Sequence, residues 1–204
     1  MKLIGLSGAA RSGKDTAGKY LIEQYDFKRY AFADPLKRAA SEMFGLPLED
    51  FHDDDKKEVV NEFWNFSPRQ IAQLLGTECG RRVFRDDMWV KRAELAWLEH
   101  KEYIENYTGG GWIEASGWGG MVVTDVRFPN EAEWIKEMGG ITIHIVRPGA
   151  TGNVGVGASH ASELGYPDEL KDITIYNNGT LKDLYHKLDK AINWLPLSGL
   201  VTPL

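Results

Sequence analysis

The segment Gly8-Ala9-Ala10-Arg11-Ser12-Gly13-Lys14 constrains this chain more than any other, because it reads G-x-x-x-x-G-K. A short apolar run of β character, Lys2 to Leu6, precedes it. A helical stretch from Lys14 to about Tyr25 follows, with Leu21 and Ile22 on its buried face. Strand, glycine loop and helix in that order are the context that gives the motif its meaning. The glycines let backbone N–H groups converge on phosphate oxygens, and the helix N-terminus adds partial positive charge. Gly8, Ser12 and Gly13 shape the loop, Lys14 reaches the β- and γ-phosphates, and Arg11 is a further cation within it. Asp15 stands where Ser or Thr normally holds Mg²⁺. A carboxylate serves a hard cation directly or through water, and the next residue, Thr16, is placed for the α-phosphate.

The rest of the chain alternates strands and helices. A second strand is expected from Lys28 to Ala33, then a helix capped by Asp34 with Pro35 in its first turn. Leu36, Ala39, Ala40 and Met43 share one face of that helix. The acidic stretch 47–62 lacks the alternating ligands and central glycine of a calcium loop and reads as a solvated segment. Ser67-Pro68 opens a helix from Arg69 to Leu75 that Gly76 is expected to stop. A long helix, Met88 to Tyr107, comes next, then a glycine-rich connector with Trp112 and Trp118. Further strands are expected at Met121–Asp125, Ile141–Val146 and Asp172–Tyr176, and helices at Glu131–Met138 and Leu181–Trp194. The segment 150–159 is rich in glycine and reads as mobile. This alternation predicts an α/β fold with a parallel sheet covered on both faces.

Composition excludes several classes. The chain has 204 residues, 43% of them hydrophobic, and a net charge of −6. That suits one globular domain and argues against a broad basic face for polymeric nucleic acid. No apolar run approaches the roughly 18 residues of a membrane span. The start, MKLIGLSG, lacks signal-peptide layout. With Cys79 as the one cysteine, neither a disulfide framework nor a multi-cysteine zinc site is available. A cytoplasmic protein is expected. Absence of an Asn-Lys-x-Asp element argues against a guanine-specific GTPase. Small P-loop kinases fit better, with the stretch 34–118 long enough to hold an inserted acceptor site.

The chain resembles the phage deoxynucleoside monophosphate kinase family. The blocks that carry the resemblance are SGAARSGKDT (7–16), RQIAQLLGT (69–77), WVK (89–91), DVR with NEAE (125–127, 130–133), GGITIHIVRPG (139–149), HASELGYP (160–167) and ITIYNNGTLKDL (173–184). Residues 41–66 and 108–120 match poorly. The unusual Gly-Lys-Asp-Thr is itself a family feature. The resemblance implies a P-loop NTPase domain with an NMP-kinase-like parallel sheet flanked by helices. It implies a core at 1–33 and 121–204, an acceptor-binding helical insertion at about 34–118 and a lid at about 147–170. The implied activity moves the γ-phosphoryl of ATP, with Mg²⁺, onto a dNMP. The protein would work in the cytoplasm, that of the host if phage-encoded. A homodimer is among the assemblies left open.

The remaining candidates follow from charge and position. Two polyanions must meet, so cations are needed: Arg69, Arg127 and Arg147 lie in matching blocks. Asp125 ends a strand at the edge where open α/β folds bind ligands and is assigned to the Mg²⁺ shell. Asp34 is open between Mg²⁺ water, the acceptor sugar and a helix cap, with Lys37 one turn on for the acceptor phosphate. Gln73 and Trp89 are candidates for base recognition, with core packing the rival for Trp89. His160 and Glu163 suit a lid. Asn177-Asn178-Gly179 suit an adenine loop, against a plain turn. Rival functions are a P-loop kinase acting on a hydroxyl, in dephospho-CoA or a hydroxymethylated base in DNA, and a non-catalytic nucleotide-binding regulator. In the hydroxyl case Asp34 would be a general base.

Overall fold

The computed structural model describes residues 1–108, 119–150 and 165–194. The expected connector with Trp112 and Trp118, and the lid residues His160 and Glu163, lie outside them. The chain divides into two compact units, residues 1–30 with 94–204, and residues 31–93. The second unit begins near the expected start of the insertion. The chain returns to the first at Glu94, within a helix.

The first unit is built on five parallel strands: β1 (Leu3–Ser7), β2 (Lys28–Tyr30), β3 (Met121–Val123), β4 (Ile141–Val146) and β5 (Ile173–Tyr176). Their order is β2-β3-β1-β4-β5, with β1 central. Its helices are α1 (Lys14–Tyr25), most of α4 (Met88–Thr108), α5 (Pro129–Glu137) and α6 (Leu181–Trp194). β1 and β3 are buried along their whole length, as strands covered on both faces must be. Alternation in β1 separates the faces. Ile4 and Leu6 join Leu21 of α1 and Leu184, Leu188 and Ile192 of α6 in the main core. Gly5 faces α5, where Ile135 leaves no room for a larger side chain. Tyr20 and Tyr25 both donate to Asp189, at 2.7 and 2.8 Å, and Tyr20 stacks on Tyr185, so α1 and α6 are joined.

The second unit holds α2 (Ala33–Phe44), single turns at Leu48–Phe51 and Lys56–Glu58, and α3 (Pro68–Gln73). Its small core is Ala40, Phe51 and Ile71. Three expectations are corrected here. β2 ends at Tyr30, and the helix begins at Ala33 after Phe32, so Asp34 lies in the first turn and is not the cap. The Asp34 N–H already closes a turn on Ala31 O; the carboxylate still favours the positive helix end. Met43 is 65% exposed, because the core under α2 extends only to Ala40 and its neighbours. Gly76 does not stop the helix: α3 continues as a π-helix over Leu74–Phe84. The Trp89 indole donates to Gly76 O at 2.8 Å and packs on Gly80, and Leu36 fills the space a Cβ at Gly76 would need. These contacts outweigh the roughly 1 kcal/mol that each glycine costs in a helix. The start of α3 is as expected: Ser67 and Gln70 form a reciprocal capping box.

Candidate nucleotide site

The loop between β1 and α1 sits at the C-terminal edge of the sheet, at its central strand. Two left-handed glycines shape it, Gly8 (φ 139°) and Gly13 (φ 109°). A Cβ at Gly8 would strike the carbonyl oxygen of Ile145, so the loop lies directly on β4. Lys14 Nζ folds back and donates to the carbonyls of Gly8 and Ala9, both at 2.7 Å. Arg11 is exposed, and Ser12 is wholly buried, its hydroxyl without a partner among the described residues. Glycine clearance, a converging ammonium and an unpaired buried hydroxyl fit a polyphosphate.

The loop is held from below and from the side. Tyr166 Oη donates to Ser7 Oγ at 2.8 Å, and Ser7 Oγ lies 2.9 Å from His144 Nδ1. With Tyr166 donating, the Ser7 hydroxyl is free to donate to a neutral imidazole. Burial keeps the His144 pKa below its usual value; Lys171 and Lys14 push the same way and Asp168 opposes them. Asn177, after β5, donates from Nδ2 to Ser12 O at 2.8 Å.

The neighbouring strand ends deliver the other first-unit candidates. Asp125, half-buried, and Arg127, exposed, follow β3. The backbone N–H groups of Arg127 and Phe128 donate to the buried Glu131 carboxylate at 2.8 and 3.1 Å, which fixes this turn. Arg147 is exposed just after β4, and Asn178 and Gly179 follow β5. Lys187 Nζ lies 3.5 Å from Asn178 Oδ1. Asp15 is exposed and Thr16 half-buried in the first turn of α1. Among the described residues no three His, Cys, Asp or Glu side chains cluster as a metal cage. Asp15 and Asp125 nevertheless suit Mg²⁺, which keeps its waters, takes substrate phosphates and needs only one or two carboxylates.

The second unit carries Asp34, Lys37, Arg69, Gln73 and Trp89. Lys37 Nζ lies 3.4 Å from His52 Nδ1. Arg69 is ion-paired with Glu58, with its side chain only 15% exposed. Gln73 is half-buried at the end of α3. Trp89 is buried, its indole N–H committed to Gly76 O. Sequence reasoning missed Ser7, His144, Tyr166 and Glu131, and it read Asn177 as part of an adenine loop, whereas its side chain reaches Ser12 O. It also missed Arg92, one turn beyond Trp89, whose Nη1 is buried without a partner among the described residues. His144, an ionisable residue within the strand run ITIHIV, was a visible signal.

A parallel sheet ordered 2-3-1-4-5, with G-x-x-x-x-G-K after its central strand, defines a P-loop nucleotide-binding domain of the kinase type. The sequence pattern of the deoxynucleotide monophosphate kinase family matches residues 2–56 and 48–188, and the chain belongs to that family. A protein of Acanthamoeba polyphaga mimivirus, provisionally named for this activity, is 32% identical over 200 residues, covering 95% of this chain and 97% of its own. The deoxynucleotide monophosphate kinase of Enterobacteria phage T4 is 26% identical, covering 96% of this chain and all of its own. Among solved structures, TT1252 from Thermus thermophilus shares the fold, with a TM-score of 0.52 at 18% identity and coverage of 96% and 98%.

Proposed function

We infer that this protein transfers the γ-phosphoryl group of ATP to a deoxynucleoside monophosphate, giving the diphosphate. The observation that carries this is the Lys14 ammonium folded over a glycine loop at the sheet edge, in a chain of this family. The acceptor's second phosphate pKa is about 6, so near neutral pH its dianion is already the nucleophile. The protein's task is to offset repulsion between two polyanions and align them. Lys14, Arg11 and Arg147 act on the nucleotide phosphates, and Arg127 on charge developing at the transferred group. Arg69, Arg92 and Lys37 are the acceptor-side cations, with Gln73 for the base, Asp34 for the sugar and His160 for the closing lid; the buried Trp89 ring, packed on Gly80, serves the core instead. Asn178 and Gly179 face the adenine. Asp15, directly or through water, and Asp125, through water, would hold Mg²⁺, which would offset the phosphate charge during transfer.

No described helix is long and apolar enough to cross a membrane; we place the enzyme in the cytoplasm, that of the host if phage-encoded. The test is ADP release from ATP across dNMPs, NMPs, dephospho-CoA and hydroxymethylated DNA. Turnover that requires a dNMP is expected. Turnover only with a hydroxyl acceptor, or none with any acceptor, would refute the assignment.

A further inference from the structure

Asn177 is the first residue of the segment expected as the adenine loop, yet its side chain is turned to the phosphate loop. Its Nδ2 donates to Ser12 O at 2.8 Å, joining two segments 165 residues apart in sequence. Its backbone N–H donates to Val146 O at 2.7 Å, which seats the residue on the end of β4. A Cβ at Gly13 would stand 2.5 Å from Asn177 Nδ2, so the amide occupies the space against the outside of the loop.

We propose that Asn177 is a positioning residue for the phosphate loop, aiming the Gly13 N–H at the phosphates of the nucleotide. In a trans peptide the carbonyl and the following N–H point in opposite directions. Ser12 O and the Gly13 N–H belong to one peptide unit. Holding the oxygen toward Asn177 therefore sends the N–H to the opposite side, the interior of the loop. A glycine on the C-terminal side of that peptide makes rotation of the plane cheap, because both signs of φ are open to it. The Asn177 amide removes that freedom before the nucleotide arrives. Only a neutral donor suits the position: an aspartate would set a carboxylate against a carbonyl oxygen and beside a polyanion.

This rests on the proposal that the loop takes the phosphates of ATP, and the experiment separates the two. Affinities for ATP and for inorganic tripolyphosphate, each with Mg²⁺, are measured by calorimetry on the wild type, Asn177→Ala, Asn177→Asp and Lys14→Ala. Circular dichroism and melting confirm each fold. Asn177→Ala is expected to weaken both ligands alike by about three- to tenfold, and the isosteric Asn177→Asp by about tenfold or more. The KM for the acceptor should not change, which a general loosening of the fold would not spare. Wild-type tripolyphosphate affinity in both Asn177 variants overturns the proposal. So does a loss confined to ATP, which would assign Asn177 to the base. If Lys14→Ala binds both ligands as the wild type does, the loop assignment itself fails and the proposal falls with it.

Discussion

Lys14 caps its own loop: its ammonium satisfies the Gly8 and Ala9 carbonyls. A bound polyphosphate would compete for that same charge, so this lysine is poised to exchange two carbonyl contacts for phosphate ones. Lys14→Ala leaves those carbonyls at a half-exposed loop, where water serves them, so the fold should survive. Phosphoryl transfer should fall by about 10²–10³-fold, the usual cost of losing one electrostatic stabiliser of a transition state. Activity and far-UV circular dichroism measured together check this; a parallel loss of helical signal would make the effect structural. His144 and His100 make a separate prediction. Burial lowers both pKa values from 6.5, and His100 also holds the Gly119 carbonyl at 2.8 Å. A lowered folded-state pKa means that the neutral form is favoured by the fold. Their stability contribution is therefore present above about pH 6.5 and is lost as pH falls through the lower folded values. The melting temperature should drop between pH 7 and 5, and His144→Gln should flatten part of that drop. An unchanged slope would contradict the buried Tyr166–Ser7–His144 chain. Asp53, Asp87, Asp168 and Asp183 are all lowered from 3.8 and so act in a more acidic window.

The π-helical segment Leu74–Phe84 depends on glycines for clearance. At Gly80 a Cβ would lie 2.9 Å from Trp89 Nε1 and 3.0 Å from Leu75 O, a backbone atom that cannot swing away. Gly80→Ala should therefore destabilise the protein by about 1–3 kcal/mol, the usual cost of overpacking, despite alanine's better helix propensity. Urea unfolding measures it; a gain in stability would show that propensity wins. The same segment shows where sequence reasoning stops. β4 and α6 were legible to the residue, because ITIHIV is a mostly apolar, β-branched run and Thr180 with Asp183 caps the last helix. Gly76 read as a stop because its partners, Leu36 and Trp89, are 40 and 13 positions away in sequence and only the fold brings them in. The site divides the same way. Spacing alone located Gly8, Gly13 and Lys14, because one short segment makes the whole loop. Asn177, Tyr166 and His144 reach that loop only through the pairing of β1, β4 and β5. No local pattern carries that information.

The proposed cations divide between the two compact units, the nucleotide's in residues 1–30 and 94–204, the acceptor's in residues 31–93. If the acceptor is a monophosphate, no protein base is needed, since its dianion attacks directly. The rate at subsaturating acceptor should rise with pH around 6, following the acceptor's own ionisation, and then level off. Asp34, in the first turn of α2, is then a sugar or metal-water ligand. Asp34→Asn should lower the rate by about tenfold or less, the cost of one weakened hydrogen bond, and leave the pH profile in place. A hydroxyl acceptor reverses both expectations. Deprotonation would then fall to Asp34, and its loss should cost about 10²–10⁴-fold, the usual worth of general base catalysis. The pH profile would follow the enzyme rather than the acceptor. Phosphorus NMR of the product discriminates directly: a phosphoanhydride signal with a dNMP is expected, and a new phosphomonoester would overturn the acceptor assignment while leaving the P-loop fold untouched.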